Sequence, residues 1–280
     1  MMVTLNGVES PFVASTLSDV DGHFRFRALA PGSYTIDAFA PGLGEIRRTV
    51  VVTASMADSK GVVVVEIPRP SFDPAVAKSE STVSKRQLAV PERARRKYDE
   101  AQKELSRRNA SAASTCLREA VSIAPDYEAA WNTLGVIAYQ TRDYPQAEHY
   151  FREALRAEPG AWEPTVNLGG VLLNLDRPQE ALLFNGYAVL GRPQDALANS
   201  QLGLDYFLLD DLDHAERFLT AAEHIDPSHF SQPELTLAKL YLKRGDNKSA
   251  LRELHEFVAR FPDAPAAAGA RLEIQKLQEP

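Results

Sequence analysis

Few residues here could carry chemistry, and their spacing limits what each could do. Asp210-Asp211-Leu212-Asp213-His214 places three carboxylates and an imidazole within five positions, the donor types of a cation site. Asp19-Val20-Asp21-Gly22 has the opening of a calcium loop but lacks the remaining ligands and the closing Glu. The same four residues suit a hairpin turn, with Asp19 and Asp21 bonding local amides and Gly22 taking positive φ. Six histidines are scattered with no HExxH pair and no metal-triad spacing. Cys116, the one thiol, excludes an internal disulfide framework and a Cys-based zinc site. It stands beside Leu117 with no base brought near it, and reads as a packing residue. No G-x-S-x-G elbow, P-loop or dinucleotide fingerprint occurs. The expectation is a protein without catalysis, cofactor or metal.

The elements that would position these residues follow from composition. The chain has 280 residues, a length that suggests about two domains. Its net charge of -7 argues against nucleic acid as a partner. No apolar stretch nears the roughly 18 residues of a membrane span, and no basic segment followed by an apolar run marks a secretory signal. Residues 1–70 alternate apolar and polar positions in short runs (Val3-Thr4-Leu5, Phe24-Arg25-Phe26, Tyr34-Thr35-Ile36, Val62 to Ile67) between Gly- and Pro-rich turns. That texture predicts a β-sandwich. The Ser/Lys-rich segment within 71–92 reads as a linker. From Arg93 the pattern is helical.

The helical part is periodic. Prolines stand at 125, 159, 193, 227 and 262, alanines at 113, 147, 181, 215 and 250, and small residues at Ala101, Gly135, Gly169, Gly203 and Ala238. A period of 34 divides residues 93–264 into five repeats (94–127, 128–161, 162–195, 196–230 and 231–264), leaving 265–280 as a capping helix. The small phases fall where two helices cross. Asn109, Asp143, Asp211 and Asp246 recur where the second helix of a repeat begins, and each can N-cap it. Repeat three has Arg177 there, followed by Pro178, with Asp176 as a substitute cap. Capping therefore accounts for Asp211, and with it most of the acidic cluster. Asn185-Gly186 replaces a large apolar residue, so the second helix of repeat three is expected to be the weakest.

Trp131-Asn132-Thr133-Leu134-Gly135, Tyr144, Ala147, Phe151, Ala154-Leu155 and Pro159 make the second repeat resemble the tetratricopeptide family closely. Ser18-Asp19-Val20-Asp21-Gly22-His23-Phe24-Arg25-Phe26 and Leu29-Ala30-Pro31-Gly32-Ser33-Tyr34-Thr35-Ile36 resemble the carboxypeptidase regulatory-like family, whose members are immunoglobulin- or transthyretin-type sandwiches. Together they imply a multidomain chain, a sandwich followed by an all-α superhelix. The second resemblance also implies a first strand and Gly-rich turn ahead of Val3. Their lack points to a start upstream, and to a bacterial periplasmic or envelope location if so.

The tetratricopeptide resemblance further implies a concave groove lined by the first helices. Its phases give Asn132, Val136 and Tyr139 in repeat two, then Val166, Asn167, Leu173 and Asn174 in repeat three. Repeat four contributes Ser200, Gln201, Leu204 and Phe207, and repeat five Lys239, Leu242 and Lys243. Carboxamides there would bond an extended backbone and apolar neighbours would supply pockets, so the expected partner is a protein or peptide. Tyr98, Asn132 and Val166 stand where the family's carboxylate-gripping variants carry Lys, Asn and Arg, which speaks against capture of a chaperone tail. The alternative is a glycan or envelope contact through the sandwich. Arg93, Arg95, Arg96, Lys97, Arg107 and Arg108 form a basic patch on repeat one, read as a solvated face or a contact for an acidic partner.

Overall fold

The structure, a computed structural model, describes residues 1–40, 44–53, 56–58, 61–67 and 89–279. It forms two compact units, Met1–Val171 and Leu172–Pro280. Most of the expected linker lies outside the described residues.

The first unit opens with strands β1 (Met2–Gly7), β2 (Val13–Leu17), β3 (Gly32–Ala40) and β4 (Gly44–Val52). They make one antiparallel sheet in the order β2-β1-β3-β4. Val3 pairs with Ala38 and Leu5 with Ile36. The two-residue side-chain period then turns Val3, Leu5, Tyr34, Ile36, Ala38, Ile46 and Val50 to one buried face. On the other face Asp37 accepts from Asn6 (2.6 Å) and Arg47 (2.7 Å).

The second layer consists of the segments 23–27 and 62–67, which form no ladder with each other or with the sheet. Burial alternates along both. Phe24, Phe26, Val65 and Ile67 point at the sheet and pack on its core. Asp19 closes the turn before Phe24 as expected: its carboxylate accepts from the amides of Asp21 (3.0 Å) and His23 (2.8 Å), and Gly22 has φ 90°.

Eleven helices follow among the described residues: α1 (Glu92–Ser106), α2 (Ala110–Ile123), α3 (Glu128–Gln140), α4 (Tyr144–Ala157), α5 (Trp162–Asn174), α6 (Pro178–Gly191), α7 (Ala196–Leu208), α8 (Leu212–Ile225), α9 (Pro233–Lys243), α10 (Asn247–Arg260) and α11 (Ala267–Gln278). The pairs α1/α2, α3/α4, α7/α8 and α9/α10 pack as hairpins, and α11 lies on α10. No helix is long and apolar enough to cross a membrane.

Each hairpin turn repeats one device. Arg108, Arg142, Asp176, Asp210 and Gly245 all have φ between 57° and 76°. The next residue's amide reaches back five residues to a carbonyl at 2.9 Å, as in Asp143 N–H to Ala138 O, closing a Schellman turn. That same next residue caps the following helix. Asn109, Asp143, Asp211 and Asp246 accept from the amide three positions on at 3.2, 3.3, 3.2 and 3.1 Å. Repeat three departs from the expectation. Asp176 takes the left-handed turn instead of capping, and Arg177 forks onto Glu180 through two bonds of 2.6 Å.

The small-residue phases are crossings. A Cβ at Gly135 would lie 2.4 Å from the Phe151 ring, and one at Gly203 would lie 2.7 Å from Leu219 Cγ. α6 is continuous across Asn185-Gly186. Asn185 is fully buried, and its amide donates to Asp205 on α7 at 2.7 Å.

The sandwich and the first helices belong to the same compact unit. Gln140 at the end of α3 donates to Gly7 O (2.7 Å) and Val8 O (3.3 Å). Arg108 lies 4.7 Å over the Phe12 ring and donates to Tyr34 Oη (3.1 Å). Arg47 lies 5.3 Å over Trp162. The left-handed corner at Arg108 thus aims its guanidinium at the sandwich.

Candidate functional site

The first-helix face of the first unit carries the clearest constellation. Asn132 on α3 and Asn167 on α5 occupy equivalent repeat phases and meet, Asn167 Nδ2 donating to Asn132 Oδ1 at 3.1 Å. Both are half-buried, as are Val136 and Tyr139 one and two turns along α3. Tyr139 stacks at a tilt on Tyr144, with ring centroids 5.6 Å apart. On the other side of Asn132, Tyr98 Oη and Thr133 Oγ1 are 3.5 Å apart. The bond between the two Asn side chains engages one amide hydrogen and one carbonyl lone pair, and each amide has further donor and acceptor capacity. Val166 is 1% exposed and supports this face from within instead of lining it, a correction to its expected role.

The second unit has its own first-helix residues. Gln201, Leu204 and Phe207 on α7 are half-buried, and Lys239 on α9 is exposed. Lys243 reaches the Phe207 ring (6.0 Å) and pairs with Asp210 (2.6 Å). Ser200 is 6% exposed and, like Val166, is a packing residue. At the end of α5, Leu173 is half-buried and Asn174 exposed.

The ionisable clusters are accounted for by structure. Asp211 caps α8 and takes His214 Nδ1 at 2.7 Å, while Asp213 pairs with Arg244 at 2.5 Å. Glu223, Glu253 and Glu256 bring donor atoms within 4.8 Å of one another, but Arg252 engages Glu253 and Arg260 bridges Glu223, Glu234 and Glu256. In the basic patch, Arg96 pairs with Glu92, Lys97 with Glu100 and Glu119, and Arg107 with Glu104. Burial pushes the Cys116 thiol up, away from nucleophile range.

A cleft of about 1430 Å³ opens between the sheet and its covering segments, walled by Leu5, Ile36, Ile46, Val50, Phe24 and Val65. Its ionisable residues, Asp19, Asp21, His23, Arg25, Arg27 and Glu66, are all exposed. Asp19, Asp21 and His23 bring donor atoms within 4.8 Å of one another, with His23 Nδ1 3.1 Å from Asp19 Oδ2 at the turn that Asp19 closes. Among the described residues, two aromatic pairs of the sandwich, Phe12–Tyr34 at 80° and Phe24–Phe26 at 65°, are edge-on and pack on its core.

Sequence patterning did contain one unread signal. Asn185 stands at the phase of Leu117, Phe151, Leu219 and Leu254, and Asp205 at the phase of Ile137, Val171 and Leu240. Two polar breaks at core phases of neighbouring repeats mark a buried pair. Desolvation raises the Asp205 carboxyl to about 7, against the opposing bond from Asn185.

Residues 1–67 match the family model of the carboxypeptidase regulatory-like domain. Residues 92–161, 133–195 and 235–275 match that of the tetratricopeptide repeat. The cell division cycle protein 16 homolog of Homo sapiens is 29% identical over 123 residues, 41% of this chain and 20% of its own length. The chain therefore spans about a fifth of that curated relative. Among solved structures, MamA from Desulfovibrio magneticus RS-1 shares 21% identity (TM-score 0.57), covering 63% of this chain and 99% of its own. YrrB, described as a tetratricopeptide protein with an unusual peptide-binding site, shares 23% (TM-score 0.55), covering 68% and 98%. PilW, a type IV pilus biogenesis factor, shares 21% (TM-score 0.56), covering 67% and 91%.

Proposed function

We propose, for a chain that belongs to the tetratricopeptide repeat family and carries a carboxypeptidase regulatory-like domain at residues 1–67, that it is a non-catalytic scaffold holding an extended polypeptide on its first-helix face. One observation carries the reading: the Asn132–Asn167 pair, set between the Tyr98–Thr133 and Val136–Tyr139 side chains. An extended peptide offers alternating N–H and C=O groups along each edge, and a row of carboxamides can answer both. Val136 and Tyr139 supply the apolar contact that gives such a complex its affinity. The acidic cluster and the basic patch of repeat one are engaged largely in caps and ion pairs, which suits holding better than transforming.

The test begins with peptides selected from a displayed random library on the intact chain, whose affinities are then measured on variants. Asn132→Ala with Asn167→Ala is expected to weaken them about thirtyfold, since two lost hydrogen bonds of about 1 kcal/mol each come to about 2 kcal/mol. Melting should stay within a degree or two. Unchanged affinity would remove this face from the reading.

A further inference from the structure

The second helix of repeat three has an outer face unlike its counterparts. α6 buries Pro178, Ala181, Asn185 and Ala188 on one side. On the opposite side Leu183, Tyr187 and Leu190 are 64, 69 and 78% exposed, at i, i+4 and i+7. Gly186 lies between them, and a Cβ placed on it would meet nothing within 4 Å. A helix apolar on both sides is ordinarily covered on both sides.

The repeat supplies an internal control. At the phase of Leu183 the other repeats carry Thr115, His149, Arg217 and Arg252. At that of Gly186 they carry Arg118, Arg152, Thr220 and His255. At that of Tyr187 stand Glu119, Glu153, Ala221 and Glu256, and at that of Leu190, Ser122, Arg156, His224 and Ala259. The position itself does not call for large apolar residues; only this helix has them.

The order of the stripe names its occupant. Leu183 and Leu190 are equidistant from a point between Gly186 and Tyr187, so the stripe is its own complement when reversed. We propose that this face is a two-fold contact through which two copies of the chain associate, their α6 helices antiparallel about an axis between Gly186 and Tyr187. Leu183 of each copy then meets Leu190 of the other, and each Tyr187 ring enters the notch left by the other's Gly186. The small residue lets the two backbones approach, and an isologous patch closes at two copies. The exposed parts of the three large residues come to roughly 400–500 Å² per copy, the size of the largest apolar patch on a typical monomer, which is often functional. Twice that area falls below the roughly 1,200–2,000 Å² of stable interfaces and in the range of transient ones, so the association is weak, reversible and concentration-dependent.

Sedimentation velocity of the full chain across about 1–200 μM tests this. A monomer–dimer equilibrium is expected, and Leu183→Glu with Leu190→Glu should abolish it while circular dichroism and melting stay unchanged, both sites being exposed. Orientation is read separately in a Cys116→Ser background. Mixed chains carrying Leu183→Cys and Leu190→Cys should cross-link to each other on mild oxidation, several-fold more than either does to itself. A wild-type chain that stays monomeric throughout, a dimer that survives the double glutamate variant, or preferential self-cross-linking would each overturn the proposal.

Discussion

Asp205 shows what a single side chain does when it sits at a core phase. It is fully buried, its Oδ2 accepts from Asn185, and Oδ1 has no partner; Asn185 Oδ1 has none either. A proton on the carboxyl satisfies both orphans at once, because a neutral acid can donate back to the amide oxygen. With the carboxyl raised from 3.8 to about 7, the folded chain holds a proton that the unfolded chain releases near pH 4. Its stabilising contribution is complete below the unfolded value and is lost as pH rises through about 7. Glu234 and Glu128, also raised to about 7 chiefly by desolvation, act in the same direction. Asp205→Asn replaces the proton-dependent donor with a permanent one. It should raise stability at pH 8 by roughly 1–3 kcal/mol, the cost of leaving such atoms unpaired, and change little at pH 5. Melting followed across pH 5–8 checks this, and an equal effect at both ends would contradict it.

Among the helices, the same residue type has opposite consequences in different surroundings. Gly135 is where α3 crosses α4, and an added Cβ would be driven into the Phe151 ring. Gly135→Ala should destabilise by about 1–3 kcal/mol through overpacking. Gly269 in α11 is exposed with open space around its Cβ position. Gly269→Ala should instead stabilise by up to about 1 kcal/mol, since alanine loses less backbone freedom in a helix. Denaturant midpoints of the two variants should therefore move in opposite directions. The cap and Schellman turn recur in every hairpin, with Arg177 as the exception to the side-chain cap; there Pro178 starts the helix and no side chain caps it.

At the scale of the molecule, the sandwich is bound to the repeats as well as joined to them. Gln140 reaches two carbonyls after β1, and Arg108 spans Phe12 and Tyr34. Arg108→Ala with Gln140→Ala removes a cation–π contact and three hydrogen bonds, about 2–4 kcal/mol in all. Calorimetry should then show sandwich unfolding separated from, and below, that of the adjoining helices, with earlier cleavage by dilute protease. A single undivided transition in the variant would mean that other contacts hold the two together. The scaffold and its self-association rest on different surfaces, since no residue of the proposed peptide-binding face lies on α6.

Much of this was legible in one dimension because repetition constrains it. The 34-residue period located the helices. Small residues marked the crossings, and Asn or Asp at one phase marked the caps, since each property depends on neighbours three, four or thirty-four positions away. The left-handed corners escaped notice because four of the five are Arg or Asp, where glycine would have signalled positive φ. Alternation along 23–27 and 62–67 was visible, but not that they would cover the sheet without joining a ladder. The sequence by itself determined the periodic architecture and its local chemistry. Tertiary structure alone decided that Arg108 would turn toward Phe12 and that the α6 stripe would stay exposed. Those outcomes depend on contacts between segments tens of residues apart, whose meeting is set by packing and by no spacing along the chain.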